Sequence, residues 1–254
     1  MIGLIKAILK GDRFIVNSYR HRAVERFAAL VYPDLKIGEF GQLWGKYPLN
    51  TYREIEYPVT KDWKALERRV VLVNLFKLVD HLQGCTAECG VGQGFASAYI
   101  CECVQLSPYH DSHFAIDTYE GLYADRVYEM EDKYWKQGDL SYSFEEVSSR
   151  LDNIEATQGL LEYVKGRIPE AFKQLDPEEE YRFVHIDVDL AEPTADSLDY
   201  FYPRMVEGGI ILFDDYGYEQ CPGARYEINE FFRNFDAEEG VVELPTGQAF
   251  MVKR

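Results

Sequence analysis

Residues 86–106 read TAECGVGQGFASAYICECVQL, in which a strand-like run, a glycine-rich loop and a helical segment follow one another. Glycines between a strand and a helix let the backbone approach a ligand, and a helix N-terminus attracts an anionic group. In this context the glycine pattern indicates a nucleotide loop, whereas glycines alone would indicate only a tight turn. We therefore predict that the loop binds a cofactor through Gly90, Val91, Gly92 and Gly94.

Strand and helix patterns alternate from Gly84 to the end of the chain, with a tyrosine-rich, charged insertion at residues 123–143 that we place over the site. The predicted strands are Thr86–Cys89, His113–Asp117, Leu161–Lys165, Tyr181–Asp187, Gly209–Phe213, Val241–Leu244 and Ala249–Val252. The predicted helices are Phe95–Leu106, Glu145–Gly159, Pro169–Leu175, Ala195–Met205 and Tyr226–Asn234. Such alternation predicts an α/β fold with a doubly wound, Rossmann-like sheet, mostly parallel with an antiparallel C-terminal hairpin.

The chain before the glycine loop shows no series of strands. Apolar residues recur with helical spacing over Lys61–Leu82, and an aromatic, proline-containing segment precedes them at residues 44–57. Those aromatic side chains either pack on the core or form a lid and substrate wall, which would suit a sugar or aryl acceptor. We accordingly divide the chain into a helical and aromatic lid at residues 1–80 and a catalytic domain at residues 81–254.

Charge and cysteine content restrict the partners. A formal net charge of -17, from 44 acidic and 27 basic residues, disfavours nucleic acid and anionic membranes. Five cysteines, an odd number in a long chain, predict buried free thiols and a cytoplasmic location rather than a disulfide framework. The sequence leaves open whether the protein forms a homo-oligomer.

Two acidic clusters close apolar runs of strand character, His185-Ile186-Asp187-Val188-Asp189 and Phe213-Asp214-Asp215-Tyr216. In an open α/β sheet, ligands bind at the carboxyl ends of the strands, so both clusters should face one crevice. Magnesium prefers oxygen ligands and typically combines a few carboxylates with waters and substrate. We predict a divalent cation, Mg²⁺, on Asp187, Asp214 and Asp215. The alternative is that Asp214-Asp215 caps the following loop.

The nature of the cofactor follows from the acids beside the glycine loop. Glu88 would repel a pyrophosphate, whereas it suits a ligand that carries an ammonium and a sulfonium group, as S-adenosylmethionine does. Asp117 ends the next predicted strand, where a carboxylate can accept hydrogen bonds from both ribose hydroxyls. Together with a divalent cation, this arrangement indicates methyl transfer from S-adenosylmethionine.

These motifs resemble the macrocin O-methyltransferase family of bacterial sugar modification. The likeness rests on four ordered stretches within residues 84–232: Glu88-Cys89-Gly90-Val91, Asp117-Thr118-Tyr119-Glu120-Gly121, Asp187-Val188-Asp189-Leu190 and Gly208-Gly209-Ile210-Ile211-Leu212-Phe213-Asp214-Asp215-Tyr216. The resemblance implies an S-adenosylmethionine- and magnesium-dependent O-methyltransferase acting on a hydroxyl of a sugar or a glycosylated small molecule. It also implies that Thr118 belongs to the cofactor site and that Asp189 is the general base.

His185 shares one face with Asp187 and Asp189 if the strand continues. One interpretation is that His185 positions an acid or assists proton removal. The other is that it is a hydrogen-bonded core histidine.

Three other functions are compatible with parts of this sequence pattern. A catechol-type aryl O-methyltransferase would use the same architecture, although its second cluster is usually Asp-Asn rather than Asp214-Asp215. An NAD-dependent oxidoreductase would use the glycine loop but would leave the acidic clusters without a role. A non-catalytic nucleoside-binding module would need neither the cation nor a base.

Overall fold

The computed structural model describes residues 63–124, 134–234 and 240–254. The predicted aromatic segment at residues 44–57 therefore lies outside the described residues, as do residues 125–133 of the predicted insertion. All described residues fall within one compact unit.

Helices and strands alternate along the described chain. The helices are α1 (Trp63–Val79), α2 (Phe95–Leu106), α3 (Phe144–Leu151), α4 (Ala191–Phe201) and α5 (Pro222–Asn234), and short 3₁₀ turns span Glu155–Thr157, Glu170–Gln174 and Tyr202–Arg204. The strands are β1 (Cys85–Cys89), β2 (His113–Asp117), β3 (Leu161–Lys165), β4 (Tyr181–Ile186), β5 (Met205–Phe213), β6 (Val242–Glu243) and β7 (Ala249–Val252).

The strands form one sheet in the order β3-β2-β1-β4-β5-β7-β6. Strands β1 to β5 pair in parallel, and β7 pairs antiparallel with both β5 and β6. The predicted Rossmann-like sheet with an antiparallel C-terminal hairpin is therefore confirmed. The strand order reverses between β1 and β4, which is where open α/β sheets bind their ligands.

Apolar side chains cover both faces of the sheet, as parallel strands require. On one face, Ala87 of β1 and Val184 of β4 pack with Leu198 and Phe201 of α4. On the other face α1 packs against α2, β4 and β5. Successive side chains along a strand point to opposite faces of the sheet. Glu88 follows Ala87 and His185 follows Val184, so both point to the face that α1 and α2 cover.

Several elements differ from the sequence prediction in type or extent, among them helix α5, which begins at Pro222 rather than at Tyr226. The predicted helix Glu145–Gly159 stops at Leu151 and resumes only as a 3₁₀ turn, and its first turn is fixed by a capping box between Ser143 and Glu146. Predicted helix Pro169–Leu175 is a 3₁₀ turn. Helix α4 begins four residues before the predicted Ala195 because Pro193 falls within its first turn, where proline is tolerated. Strand β5 begins at Met205 rather than at Gly209.

The five cysteines are buried free thiols, as predicted. Within the described residues, no helix has both the length and the apolar character that crossing a membrane requires. The predicted helix at Lys61–Leu82 corresponds to α1, which ends at Val79 rather than at Leu82, and the domain boundary at residue 80 stays a prediction.

Candidate active site

The predicted site residues follow four neighbouring strands, β2, β1, β4 and β5, at their carboxyl ends. Backbone hydrogen bonds join these ends directly: the Asp187 amide donates to the Cys89 carbonyl at 2.8 Å, and the Asp214 amide donates to the Ile186 carbonyl at 2.9 Å. The glycine loop and both acidic clusters therefore meet at one edge of the sheet, as the sequence predicted.

The glycine loop crosses the end of β4 at very short range. A Cβ atom on Gly90 would lie 1.7 Å from the carbonyl oxygen of Asp187, and Gly90 has a φ of +85°, so no other residue fits there. Gly92, with a φ of +52°, has no atom within 4 Å of such a Cβ. Gly94 precedes α2 without any side-chain cap on that helix. The loop thus combines a tight backbone crossing with an open side and a helix N-terminus, which fits the binding of an anionic cofactor group.

Asp117 connects the end of β2 to the same loop. Its Oδ2 atom accepts hydrogen bonds from the amides of Val91 at 2.7 Å and Gly92 at 3.1 Å, and its Oδ1 atom accepts one from Tyr119 at 2.7 Å. The carboxylate therefore orders the cofactor loop itself. Thr118 shapes the adjoining turn, because its hydroxyl donates to the Gly121 carbonyl at 2.8 Å.

Glu88 and His185 form the centre of a buried polar row across β2, β1 and β4. They are register partners on adjacent strands, with 3.2 Å between Oε1 of Glu88 and Nδ1 of His185. Ser97 of α2 donates to the other Glu88 oxygen and lies 3.0 Å from Nε2 of His113. Glu88, only 1% exposed, is held by protein groups on both of its oxygens. Its predicted role as a cofactor ligand stays a prediction.

His185 links this row to the second acidic cluster, because its Nε2 atom lies 3.4 Å from Oδ1 of Asp214. Burial alone would lower the pKa of His185, but its hydrogen bonds to Asp214 and Glu88 raise the pKa well above the ordinary value. The imidazolium therefore sits between two carboxylates at 2% exposure. This placement indicates that His185 positions Asp214 rather than taking a proton directly from an acceptor.

The three predicted cation ligands converge. One carboxylate oxygen from each of Asp187, Asp214 and Asp215 lies within 4.8 Å of the others. Burial and the charges of Asp214 and Asp215 raise the pKa of Asp187 well above the ordinary value, and burial with the charge of Asp189 does the same for Asp215. Carboxylates crowded in this way gain stability from a cation, so this oxygen set fits Mg²⁺ or a similar ion.

Asp189, the predicted base, lies on the turn after β4 rather than on a continued strand. Its φ is +60°, a left-handed conformation, and its amide donates to Oδ2 of Asp215 at 2.9 Å. The thiol of Cys221 donates to Oδ1 of Asp189 at 3.2 Å. Burial raises the pKa of Asp189 to about 6, although the Cys221 hydrogen bond opposes that shift. The carboxylate is therefore basic enough to accept a proton and still ionised near neutral pH.

Four residues that the sequence did not point to surround these acids. Nη1 of Arg68 on α1 lies 2.5 Å from Oδ2 of Asp214, and Nε2 of Gln248 donates to Oδ1 of Asp214 at 2.6 Å. Indole Nε1 of Trp135, in the described part of the predicted insertion, donates to the Cys221 sulfur at 3.4 Å. No motif marks these four, because each arrives through the packing of a distant element.

Known proteins resemble this chain in sequence and in fold. The sequence model of the Macrocin-O-methyltransferase (TylF) family matches residues 70–245. Demethyldecarbamoylnovobiocin O-methyltransferase from Streptomyces niveus is 24% identical over 213 residues, which is 77% of this chain and 79% of that protein.

Two solved structures share the fold. The O-methyltransferase NovP has a TM-score of 0.61 at 21% identity and covers 72% of this chain and 78% of its own. CalS11, a calicheamicin methyltransferase, has a TM-score of 0.63 at 18% identity over 80% of this chain and 90% of its own.

Proposed function

The chain belongs to the macrocin O-methyltransferase family, and we propose that it transfers a methyl group from S-adenosylmethionine to a hydroxyl of a sugar or a glycosylated small molecule, with the help of Mg²⁺. The observation that carries this proposal is the convergence of Asp187, Asp214 and Asp215 at the strand ends that also carry the glycine loop. A nucleoside loop beside a cation site is what metal-assisted methyl transfer requires.

The cofactor site of the proposal consists of the loop Gly90–Gly94 with Asp117 and Thr118. When bound, S-adenosylmethionine supplies a methyl group on a positively charged sulfur, which is already a strong electrophile. Asp117 orients the loop by accepting hydrogen bonds from the Val91 and Gly92 amides, and the proposal assigns its carboxylate to the ribose hydroxyls. Glu88 adds negative charge beneath the loop, which favours a cationic ligand.

The cation site consists of Asp187, Asp214 and Asp215. When bound, Mg²⁺ supplies positive charge that lowers the pKa of a nearby hydroxyl group. Gln248 and His185 both hold Oδ1 of Asp214, so they fix the direction of this ligand. Second-sphere contacts of this kind orient metal ligands.

Asp189 acts as the general base in this proposal. An unassisted carboxylate is too weak a base for an alcohol, so Asp189 would take the acceptor proton only with a cation bound nearby, which would supply positive charge that favours the alkoxide. Transfer would form the bond between the acceptor oxygen and the methyl carbon as the carbon–sulfur bond breaks, with the electron pair left on sulfur. Burial raises the pKa of the thiols of Cys85, Cys89, Cys101, Cys103 and Cys221, so no reactive thiolate is present for a covalent intermediate among the described residues.

The names of similar proteins support the acceptor class of this proposal. One is named as a demethyldecarbamoylnovobiocin O-methyltransferase, one solved structure as a calicheamicin methyltransferase and another as a TDP-rhamnose 3'-O-methyltransferase. For this chain we propose a sugar of a natural product as the acceptor, with a surface polysaccharide precursor as the other candidate. The lid at residues 1–80 and the cytoplasmic setting belong to the same proposal, the latter supported by the free thiols.

Calorimetric titration separates the candidate classes. We expect S-adenosylmethionine to bind with and without Mg²⁺, and NAD not to bind in either condition. Binding of NAD alone would replace the proposal with an oxidoreductase. Binding of S-adenosylmethionine without any methyl transfer would indicate a nucleoside-binding module.

A panel of acceptors then separates the sugar from the aryl alternative. Transfer of isotopically labelled methyl from S-adenosylmethionine should reach nucleotide sugars or glycosides rather than catechols. Transfer to catechols alone would favour the catechol-type enzyme.

A further inference from the structure

Arg68 does not belong to the sheet, but its side chain contacts the acidic cluster. It lies on α1, and its guanidinium contacts Asp214 twice, through Nη1 to Oδ2 at 2.5 Å and through Nη2 to the backbone carbonyl at 3.1 Å. The charge of Arg68 also acts on Asp187, Asp215 and Asp189. One guanidinium thus stabilises all four acids that the proposed function assigns to the cation and the base.

The contacts of Asp214 limit how a metal ion can reach it. Oδ1 accepts a hydrogen bond from Gln248 at 2.6 Å and lies 3.4 Å from Nε2 of His185. These two contacts use both lone pairs of that oxygen. Oδ2 is the remaining oxygen, and Arg68 holds it. A Mg²⁺ ion would bind at about 2.1 Å from a carboxylate oxygen. At Oδ2 it would therefore lie within a few ångströms of the guanidinium, where two cations repel strongly.

We propose that Arg68 is a resident counterion that occupies the position of the metal on Asp214 and is displaced when the metal binds. Its side chain is 23% exposed, so it has a path to solvent. Tyr218 offers an alternative contact, because its ring centroid lies 5.0 Å from the guanidinium carbon. The inference rests on the proposed cation site, and it adds that metal affinity is set by competition with Arg68.

The test compares Mn²⁺ binding, measured by electron paramagnetic resonance of free Mn²⁺, in the wild type, Arg68→Met and Arg69→Met. Arg69 is the matched control, since the same charge is removed from the next residue of α1, whose guanidinium stacks over Phe95 at 4.6 Å. We expect Arg68→Met to bind Mn²⁺ about 10- to 100-fold more tightly than the wild type, because no ion pair has to break. Arg69→Met should bind like the wild type.

Thermal unfolding supplies a second readout that does not depend on activity. Without metal, Arg68→Met should unfold at a lower temperature than the wild type, and saturating Mn²⁺ should raise its unfolding temperature by more than it raises that of the wild type. Arg68→Gln removes the charge but keeps a hydrogen-bond donor, and it takes the place of Arg68→Met if that variant does not fold.

The outcomes distinguish this inference from the function on which it rests. Equal Mn²⁺ affinity in all three proteins, or weaker binding in Arg68→Met, overturns the counterion role and leaves the cation site in place. Failure of all three proteins to bind Mn²⁺ overturns the cation site together with the counterion. Binding by Arg68→Met but not by the wild type supports the inference in its strongest form.

Discussion

The backbone amide of Asp189 donates a hydrogen bond to Oδ2 of Asp215 at 2.9 Å, which joins the candidate base to a candidate metal ligand. This hydrogen bond lies in the turn after β4, where Asp189 has a left-handed φ of +60°. A movement of either residue therefore changes the other, and the base and the cation site are built as one unit.

Replacing Asp117 by alanine should weaken S-adenosylmethionine binding by about 1–3 kcal/mol. Two causes combine, since the variant loses the proposed ribose contact and also releases the Val91 and Gly92 amides. Calorimetry measures the affinity. Asp111→Ala is the control, because it removes the same charge near the opposite end of β2, where Asp111 accepts from the Gly84 amide. Wild-type affinity in Asp117→Ala would place the ribose elsewhere.

Acidification should stabilise the metal-free protein. Asp187, Asp215 and His185 all have a folded-state pKa above the ordinary value. Burial is the largest influence on each: it raises the pKa of the two acids by favouring their neutral form, and in His185 its lowering effect is outweighed by the hydrogen bonds to Asp214 and Glu88. Between about pH 5 and pH 8 the folded protein thus binds more protons than the unfolded chain, so the free energy of unfolding falls as the pH rises. The lowered pKa of Asp214 acts only below this window.

Scanning calorimetry in a chelator should therefore show an unfolding temperature that is higher near pH 5.5 than near pH 7.5. Mg²⁺ should flatten the dependence, because it binds the ionised carboxylates, and Asp187→Asn should also flatten it. An unfolding temperature that rises with pH in the chelator would show that the acids are already neutralised by other groups.

Cys221 should tune the candidate base. Its thiol donates to Oδ1 of Asp189 and opposes the rise in the Asp189 pKa that burial causes. Cys221→Ala should shift the acidic limb of the turnover profile to higher pH and lower turnover about three- to tenfold near that limb, and Cys221→Ser should restore both, since a hydroxyl also donates. Cys101→Ala, another buried thiol but in α2, is the control. An unshifted limb in Cys221→Ala would remove this thiol from the chemistry.

Removal of the base should affect turnover and little else. Asp189→Asn keeps the shape and removes the basicity, so turnover should fall about 10²–10⁴-fold. Affinities for S-adenosylmethionine and acceptor should stay close to those of the wild type. Asp199→Asn, an exposed acid on α4, is the control. Wild-type turnover in Asp189→Asn would move proton removal to solvent or another group.

Much of the fold was predictable from local sequence. Three strands and the helix Phe95–Leu106 have the predicted ends, because the apolar runs of β2, β3 and β7 are bounded by turn or charged residues. Helix α4 was predicted at Ala195–Met205 but spans Ala191–Phe201, with Pro193 in its first turn, where proline is tolerated. The 3₁₀ turn at Glu170–Gln174 was also missed, because its helical apolar spacing does not distinguish it from an α-helix.

The site was predictable only where its residues sit at strand ends. Asp187 and Asp214 follow register partners in β4 and β5, so topology alone brings them together. Gln248 reaches Asp214 only through the antiparallel pairing of Phe213 with Ala249, and that register cannot be read from one strand. Arg68 arrives by packing of α1 on the sheet, which no periodicity specifies.

A cation held by Asp187, Asp214 and Asp215 should be needed for methyl transfer but not for cofactor binding. The direct measurement is transfer of labelled methyl to the accepted glycoside in excess chelator and after Mg²⁺ is restored, with S-adenosylmethionine affinity measured in both conditions. We expect transfer to stop in the chelator and to return with Mg²⁺, Asp187→Asn to abolish the return, and the affinity to stay unchanged throughout. Full transfer in excess chelator would show that no cation takes part in the reaction.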